Sequence, residues 1–190
     1  YQWESSSNLL AWAPILNATQ QDYTSGNLSQ TAYFRRVVSS SACVHSSQPI
    51  MITVNPNIDL NIIGNNQTLC ENQTVVLLTG ALPSGGNGLY QYQWESSTDQ
   101  LNWVNVTGAT QLNLNYGTIV STLYFRRIIQ SPPCAPSTSN EILIFVYPIL
   151  GNNIISSNET ICTGSSPALF SGTMPTGGTG NYVYEWQSSN

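Results

Sequence analysis

Short segments in which apolar and polar residues alternate recur along the whole chain. In residues 89–95, Tyr90, Tyr92 and Trp94 fall on one face, while Gln91, Gln93 and Glu95 fall on the other. A period of two is the mark of a half-buried β-strand. The same reading predicts strands over residues 60–63, 74–79, 101–106, 111–115, 122–130 and 140–146. Trp103 lies in 101–106, and Leu112 and Leu114 share a face in 111–115. Turn-forming residues bound these runs, and residues 84–88 read as a Gly-rich loop between sheets. No segment shows the 3.6-residue period of an amphipathic helix. The pattern predicts an all-β chain built as an immunoglobulin-like β-sandwich.

The pattern repeats. Tyr1-Gln2-Trp3-Glu4-Ser5-Ser6 returns as Tyr92-Gln93-Trp94-Glu95-Ser96-Ser97, and in altered form as Tyr184-Glu185-Trp186-Gln187-Ser188-Ser189, at offsets of 91 and 92. Trp12 maps to Trp103, Tyr33-Phe34-Arg35-Arg36 to Tyr124-Phe125-Arg126-Arg127, and Cys43 to Cys134. On the other side, Asn61-Ile62-Ile63 matches Asn153-Ile154-Ile155, and Cys70 matches Cys162. The string Pro83-Ser84-Gly85-Gly86-Asn87-Gly88 matches Pro175-Thr176-Gly177-Gly178-Thr179-Gly180. The unit of about 91 residues has the size of a sandwich domain and exceeds the solenoid class. Pro56 and Pro148 each close an apolar strand, because proline cannot continue a ladder. Residues 1–56 are therefore read as the C-terminal part of one repeat, 57–148 as a complete repeat and 149–190 as the N-terminal part of a third. The chain begins in mid-pattern and reads as a fragment of something longer.

Only 7% of residues are charged, all four basic residues are Arg, and the net charge is −5. Such a chain offers no basic patch for nucleic acid or an anionic membrane surface. Its longest apolar run is far shorter than the ~20 residues of a membrane helix, so no membrane insertion is expected. Asn, Ser, Thr and Gln supply the polarity, which suits a secreted all-β surface.

Trp94, central in its strand, is predicted to be the core tryptophan, with Trp103 and Tyr124 also in the structural core. Tyr124 stands where a tyrosine corner would lie. Arg126 and Arg127 are strand neighbours and point to opposite faces, so they cannot both face outward. Glu95 and Gln93 flank Trp94 on the outer face. One Arg of each pair is expected to meet that Glu across strands, at a few tenths of a kcal/mol. The other is expected to cover an aromatic edge.

The four cysteines fall two to a repeat. A Cys70–Cys134 disulfide within the complete repeat is favoured, worth ~4 kcal/mol on the loop-entropy model. Pairing across repeats, Cys43 with Cys70 and Cys134 with Cys162, also fits the spacing. The single His45 has no partner, and the cysteine spacing is unlike a zinc site. Six Asn-x-Ser/Thr sequons stand at Asn17, Asn27, Asn66, Asn72, Asn105 and Asn158, in a chain so rich in Asn and Thr that several arise by chance. No nucleophile elbow, His dyad, phosphate loop or acidic cluster is present, so neither catalysis nor a cofactor nor a metal is expected.

Cys162-x-Gly-x-x-Pro167, then Pro-x-Gly-Gly-x-Gly-x-Tyr-x-Tyr-x-Trp, continued in the second repeat by Trp103, Gly108-Ala109-Thr110, Tyr124-Phe125-Arg126-Arg127 and Cys134, resembles a known type. It is similar to the immunoglobulin-like or PKD-like tandem repeats of giant surface adhesins of Bacteroidetes, the type of the gliding-motility adhesin SprB. The resemblance covers essentially the whole chain. It departs at Cys70-Glu71-Asn72, where the Gly is missing and a different first turn is expected. The resemblance implies export by the type IX secretion system and display on the outside of the bacterial outer membrane. The implied role is a non-catalytic stalk for surface attachment and gliding motility. Its implied partners are neighbouring repeats, the secretion and gliding machinery, and a surface polysaccharide or substratum. Two other readings of the residues are a spacer or carbohydrate-binding module of a large secreted enzyme, and a eukaryotic adhesion receptor.

Overall fold

The computed structural model describes residues 1–156 and 158–189. They are all-β, with a sandwich-like fold and no helix. They fall into two compact units. The first holds Tyr1–Asp59 with the segments Pro83–Tyr90 and Gln130–Pro136, and the second holds the remainder.

In the first unit, β1 (Gln2–Ser6), β2 (Ala13–Pro14), β3 (Ala32–Ser40), β4 (Cys43–Ser46) and β5 (Ile50–Ile52) form one sheet. β1 runs antiparallel to β3, with Glu4 opposite Arg35 and Trp3 opposite Arg36. Phe34 and Ala18 are buried, but Val44, Ile50, Met51 and Ile52 are exposed.

The second unit carries β6 (Ile63–Gly64), β7 (Gln67–Cys70), β8 (Thr79–Gly80), β9 (Gln91–Ser97), β10 (Val104–Asn105), β11 (Leu123–Gln130), β12 (Ser137–Thr138) and β13 (Ile142–Tyr147). The main sheet has the order β10-β9-β11-β13-β7, with β12 also on β11. β13 and β7 run parallel, pairing Ile144 with Gln67 through to Tyr147 with Cys70. The second layer is thin: β6 pairs with β8, and single bridges join Thr74 to Thr118 and Leu78 to Leu114. Between the layers lie Trp94, Phe125, Ile142, Ile144 and Val146 from the main sheet and Ile63, Val75, Leu78, Leu114 and Ile119 from the other side.

The predicted strands 122–130 and 140–146 correspond to β11 and β13, and 89–95 to β9 displaced two residues onward. Residues 74–79 and 111–115 do not form continuous strands; only β8 and the two bridges mark them. The expected strand 60–63 is replaced by β6, because Leu60 takes a left-handed φ of 59° that interrupts an extended run. β7 was not predicted. Its Gln67-Thr68-Leu69-Cys70 has too few apolar positions to alternate.

Asn72 corrects the expectation of a different first turn. It takes φ 68°, matching φ 87° at Gly164 in the next repeat. Asn tolerates the left-handed region better than other side chains. Gln73 N–H then bonds Cys70 O at 3.1 Å, as Ser165 N–H bonds Cys162 O at 3.0 Å. Described residues from 149 onward form two isolated bridges and no strand, and Tyr184 and Trp186 are exposed. Their counterparts Tyr92 and Trp94 lie in β9 between β10 and β11.

Candidate functional site: an arginine lock and a linker clasp

Strand alternation on β11 sends Phe125, Arg127 and Ile129 inward and leaves Tyr124, Arg126 and Ile128 on the other face. Trp94 is completely buried in the core, and its indole N–H donates to Gln111 O at 3.0 Å. Tyr124 and Trp103 are only partly buried, which corrects their placement in the core. Tyr124 falls on the wrong parity. Trp103 sits one residue before the two-residue strand β10, its indole N–H on Gln100 O at 3.1 Å.

Outside the sheet, Arg126 Nε lies 2.6 Å from Glu95 Oε2, and its guanidinium stands 4.2 Å from the Trp103 ring centre. The first unit repeats the lock: Arg35 Nε is 2.7 Å from Glu4 Oε2 and its guanidinium 4.3 Å from the Trp12 ring. The outer Arg thus takes both the carboxylate and an aromatic, and the inner Arg of each pair also stands over aromatic rings, as expected. Pairs this accessible contribute ~0.2–1 kcal/mol. The neighbouring Gln93 is occupied elsewhere, donating to Trp94 O and Val106 O. A Glu95→Gln change is expected to cost about 0.5 kcal/mol in urea denaturation. In a double-mutant cycle with Arg126→Met the coupling should be of that size, and zero coupling would remove the ion pair from the account.

Arg127 points the other way and is fully buried. Among the described residues no carboxylate forms a salt bridge with it. Its Nε donates to Asn61 Oδ1 at 3.1 Å, Nη1 to Leu112 O at 2.7 Å and Nη2 to Ala81 O at 3.0 Å. The guanidinium also stands 5.3 Å from the Tyr92 ring and 5.8 Å from Trp94. Asn61 itself is held by donating to Arg127 O at 3.1 Å and Ser137 O at 2.8 Å. Desolvation pulls the Arg127 pKa below the usual guanidinium value, with Tyr92 acting in the opposite sense. An arginine stays charged even so, and carbonyl dipoles and ring faces replace its water. Gly80 makes room, since a Cβ there would collide with Arg127 Nη1.

Part of this cage recurs. In the first unit Arg36 donates to Gln21 O at 2.8 Å and stands over Tyr1 and Trp3, the counterparts of Leu112, Tyr92 and Trp94. Within residues 149–189 a cavity of ≈ 590 Å³ is lined by Asn153, Gly172, Thr173, Tyr184 and Trp186, among others. These are the counterparts of Asn61, Gly80, Ala81, Tyr92 and Trp94. Sequence reasoning singled out Arg127 but missed Asn61 and Gly80, whose signal is their recurrence at offset 92 as Asn153 and Gly172.

Loop chemistry repeats as well. Asp99 Oδ1 accepts from Leu101 N–H at 2.9 Å and Asn102 N–H at 2.8 Å, and Asn8 Oδ1 accepts from Leu10 and Ala11 N–H. The Asn102 backbone N–H first, then its side-chain amide, Leu101 N–H and Ser97, hold the Asp99 carboxyl well below the usual carboxylate range. A depressed carboxyl pKa stabilises the loop above the unfolded value near ~4 and loses that contribution as pH falls toward the folded value. Asp99→Asn, which imitates Asn8, should keep the turn and abolish its acid sensitivity. Exchange of the Asn102 amide between neutral and acid pH reads this directly, and equal acid sensitivity in both proteins would exclude Asp99 as the source.

The second recurring arrangement is a clasp at each linker. Gly86 N–H bonds Pro56 O at 2.8 Å, and Gly178 N–H bonds Pro148 O at 2.8 Å. Tyr90 Oη–H donates to Gly85 O at 2.7 Å, and Tyr182 Oη–H to Gly177 O at 3.0 Å. A bridge between Asp59 and Ser84 has its counterpart between Gly151 and Thr176. Ser131 Oγ–H donates to Asn87 Oδ1 at 2.7 Å and accepts from Asn87 N–H at 2.9 Å, anchoring the loop further.

All four cysteines are free thiols. The favoured Cys70–Cys134 bridge is therefore not formed, and neither are the Cys43–Cys70 and Cys134–Cys162 alternatives. Cys134 Sγ stands 3.7 Å from Pro56 O, on the linker that precedes its repeat. Cys70 is paired with Tyr147, the residue before the linker that follows. Among the described residues no group of three or more His, Cys, Asp or Glu is gathered as for a metal, and no helix is long and apolar enough to cross a membrane.

These features define a β-sandwich-like repeat with duplicated structural locks. The chain belongs to the family described as a domain of unknown function (DUF8696), whose model matches residues 1–56 and 60–148. No curated protein matches the chain.

Proposed function

We propose that this chain is a non-catalytic segment of a large cell-surface filament or adhesin, an extended stalk displayed outside the bacterial outer membrane. The observation that carries the reading is the clasp, made with the same atoms at the Pro56 and Pro148 linkers. A chain that serves as a stalk needs its joints held, and here the loop of each following repeat bonds the linker backbone. The buried Arg127 and the outer Arg126–Glu95–Trp103 lock fit a scaffold role, since each side chain is occupied by partners within the chain. The resemblance to gliding adhesins supports export by the type IX system, and attachment to a polysaccharide or substratum through the larger protein. Antibodies raised against residues 57–148 test this on intact cells of the source organism. Immunogold label along filaments beyond the outer membrane, lost on external protease treatment, is the expected result. Label that requires permeabilised cells would overturn it.

A further inference from the structure

We propose that the two cysteines of each repeat form disulfides between successive repeats, the Cys70 position of one bonding to the Cys134 position of the next. The pairing rests on the tandem-repeat reading and is independent of any adhesive role.

The argument runs through the linker. Pro56 and Pro148 are equivalent, as are Asn55 and Tyr147 before them, at offset 92. At the first linker, Cys134 Sγ reaches Pro56 O at 3.7 Å and Asn55 O at 4.0 Å. At the second, the parallel ladder of β13 and β7 sets Cys70 opposite Tyr147, and Glu71 N–H bonds Tyr147 O at 2.8 Å. The two cysteine positions therefore address the same carbonyl of the linker, one from the repeat that ends there and the other from the repeat that begins. Neighbouring strand positions and a thiol against the same backbone lie within the reach of a disulfide, which spans only ~4.4–6.8 Å between Cα atoms.

The equivalence of the two linkers is observed. Gly86 N–H on Pro56 O recurs as Gly178 N–H on Pro148 O, and a Cβ on Gly85 or Gly177 would collide with the carbonyl of Asn57 or Ile149 respectively. Ser131, three residues before Cys134, packs on this loop: a Cβ on Gly86 would lie 2.6 Å from Ser131 Cβ. A third repeat carrying its own Cys134 equivalent would thus bring that thiol to Tyr147–Pro148, beside Cys70. Under this pairing Cys43, Cys70, Cys134 and Cys162 all have partners outside residues 1–190, and all four are free.

The step is a two-electron oxidation by a disulfide oxidant, such as a thiol oxidoreductase or oxidised glutathione. One cysteine thiolate attacks the oxidant disulfide and expels a thiol. The second thiolate then displaces the remaining half, forming the Sγ–Sγ bond, so that both electrons and both protons end on two oxidant thiols.

The test extends the chain. Joining a second copy of residues 98–148 after Ser189 completes the third repeat and supplies one added Cys134 equivalent. After incubation in a glutathione redox buffer, alkylation and non-reducing peptide mapping should find one linkage, from Cys70 to the added cysteine. Cys43, Cys134 and Cys162 should be alkylated, and Cys70→Ser should abolish the linkage. Cys70 recovered alkylated, or bonded to Cys134 or Cys43, overturns the proposal. The 190-residue chain gives a second reading that needs no added segment: it should show no intramolecular disulfide, and a Cys70–Cys134 or Cys134–Cys162 peptide would also overturn it. Surface display on cells stands or falls separately, by immunogold.

Discussion

Replacing Arg127 with alanine should destabilise the complete repeat by about 2–4 kcal/mol, because hydrogen bonds to a charged group are lost and a hole replaces a fully buried side chain. The guanidinium is the hydrogen-bond partner of Asn61 Oδ1, Leu112 O and Ala81 O. Removing it leaves the buried Asn61 Oδ1 and the part-buried carbonyls of Leu112 and Ala81 without their donors beside a hole, and a buried unpaired group costs ~1–3 kcal/mol. Arg127→Met refills most of the volume without the donors and should recover only the packing part. Arg127→Lys keeps the charge, but one ammonium cannot reproduce the fork that reaches three acceptors. Arg36→Ala is the internal control, because Arg36 is only partly buried and its guanidinium donates to the carbonyl of Gln21. It should cost roughly 1 kcal/mol. Urea denaturation followed by tryptophan fluorescence reads all four, since Trp94 lies beside the cage. A loss below ~1 kcal/mol for Arg127→Ala would show that the cage is not what holds the two layers.

Much of the main sheet was legible because its strands alternate. β11 and β13 are long and half-buried, so the period of two survives in residues 122–130 and 140–146. The adjacency of Arg126 and Arg127 even revealed that one of them must face inward. Their surroundings were not legible. The acceptors around Arg127 are mostly backbone carbonyls far apart in sequence, and a carbonyl carries no side-chain signature. Trp103 shows a different limit. Its recurrence at Trp12 reads as a core position, yet a tryptophan under an arginine on the outer face recurs just as strictly. The thin second layer failed for a physical reason too. Val75, Leu78, Leu114 and Ile119 are buried from irregular backbone joined by single bridges, so burial there follows no strand period. The cysteines carried the least local information, because spacing within one repeat does not show which linker each thiol addresses.

Gly85→Ala should open the clasp at the Pro56 linker while leaving the core folded. Gly85 has φ 77°, a left-handed conformation that costs an L side chain ~1–2 kcal/mol. An added Cβ would also collide with the carbonyl of Asn57, which is backbone and cannot swing aside as a side chain would. The loop is expected to lift away, losing the Gly86 N–H bond to Pro56 O and the Tyr90 hydroxyl bond to Gly85 O. Together these effects amount to ~3 kcal/mol locally, so amide exchange at Gly86 should accelerate by roughly a hundredfold. Gly88→Ala separates the two contributions. Gly88 also has a left-handed φ, 82°, but its Cβ would meet nothing within 4 Å. It should therefore show the conformational cost without the opening. Gly177→Ala repeats the experiment at the Pro148 linker, where the same collision arises with Ile149 O and the reporting amide is Gly178. Equal exchange rates in Gly85→Ala and Gly88→Ala would mean that close approach to the linker contributes nothing. The recurring Pro-x-Gly-Gly-x-Gly string would then be conformational punctuation alone. A difference of the expected size, at both linkers, makes the second glycine of that pair a backbone contact to Pro and the first the residue that leaves room for it.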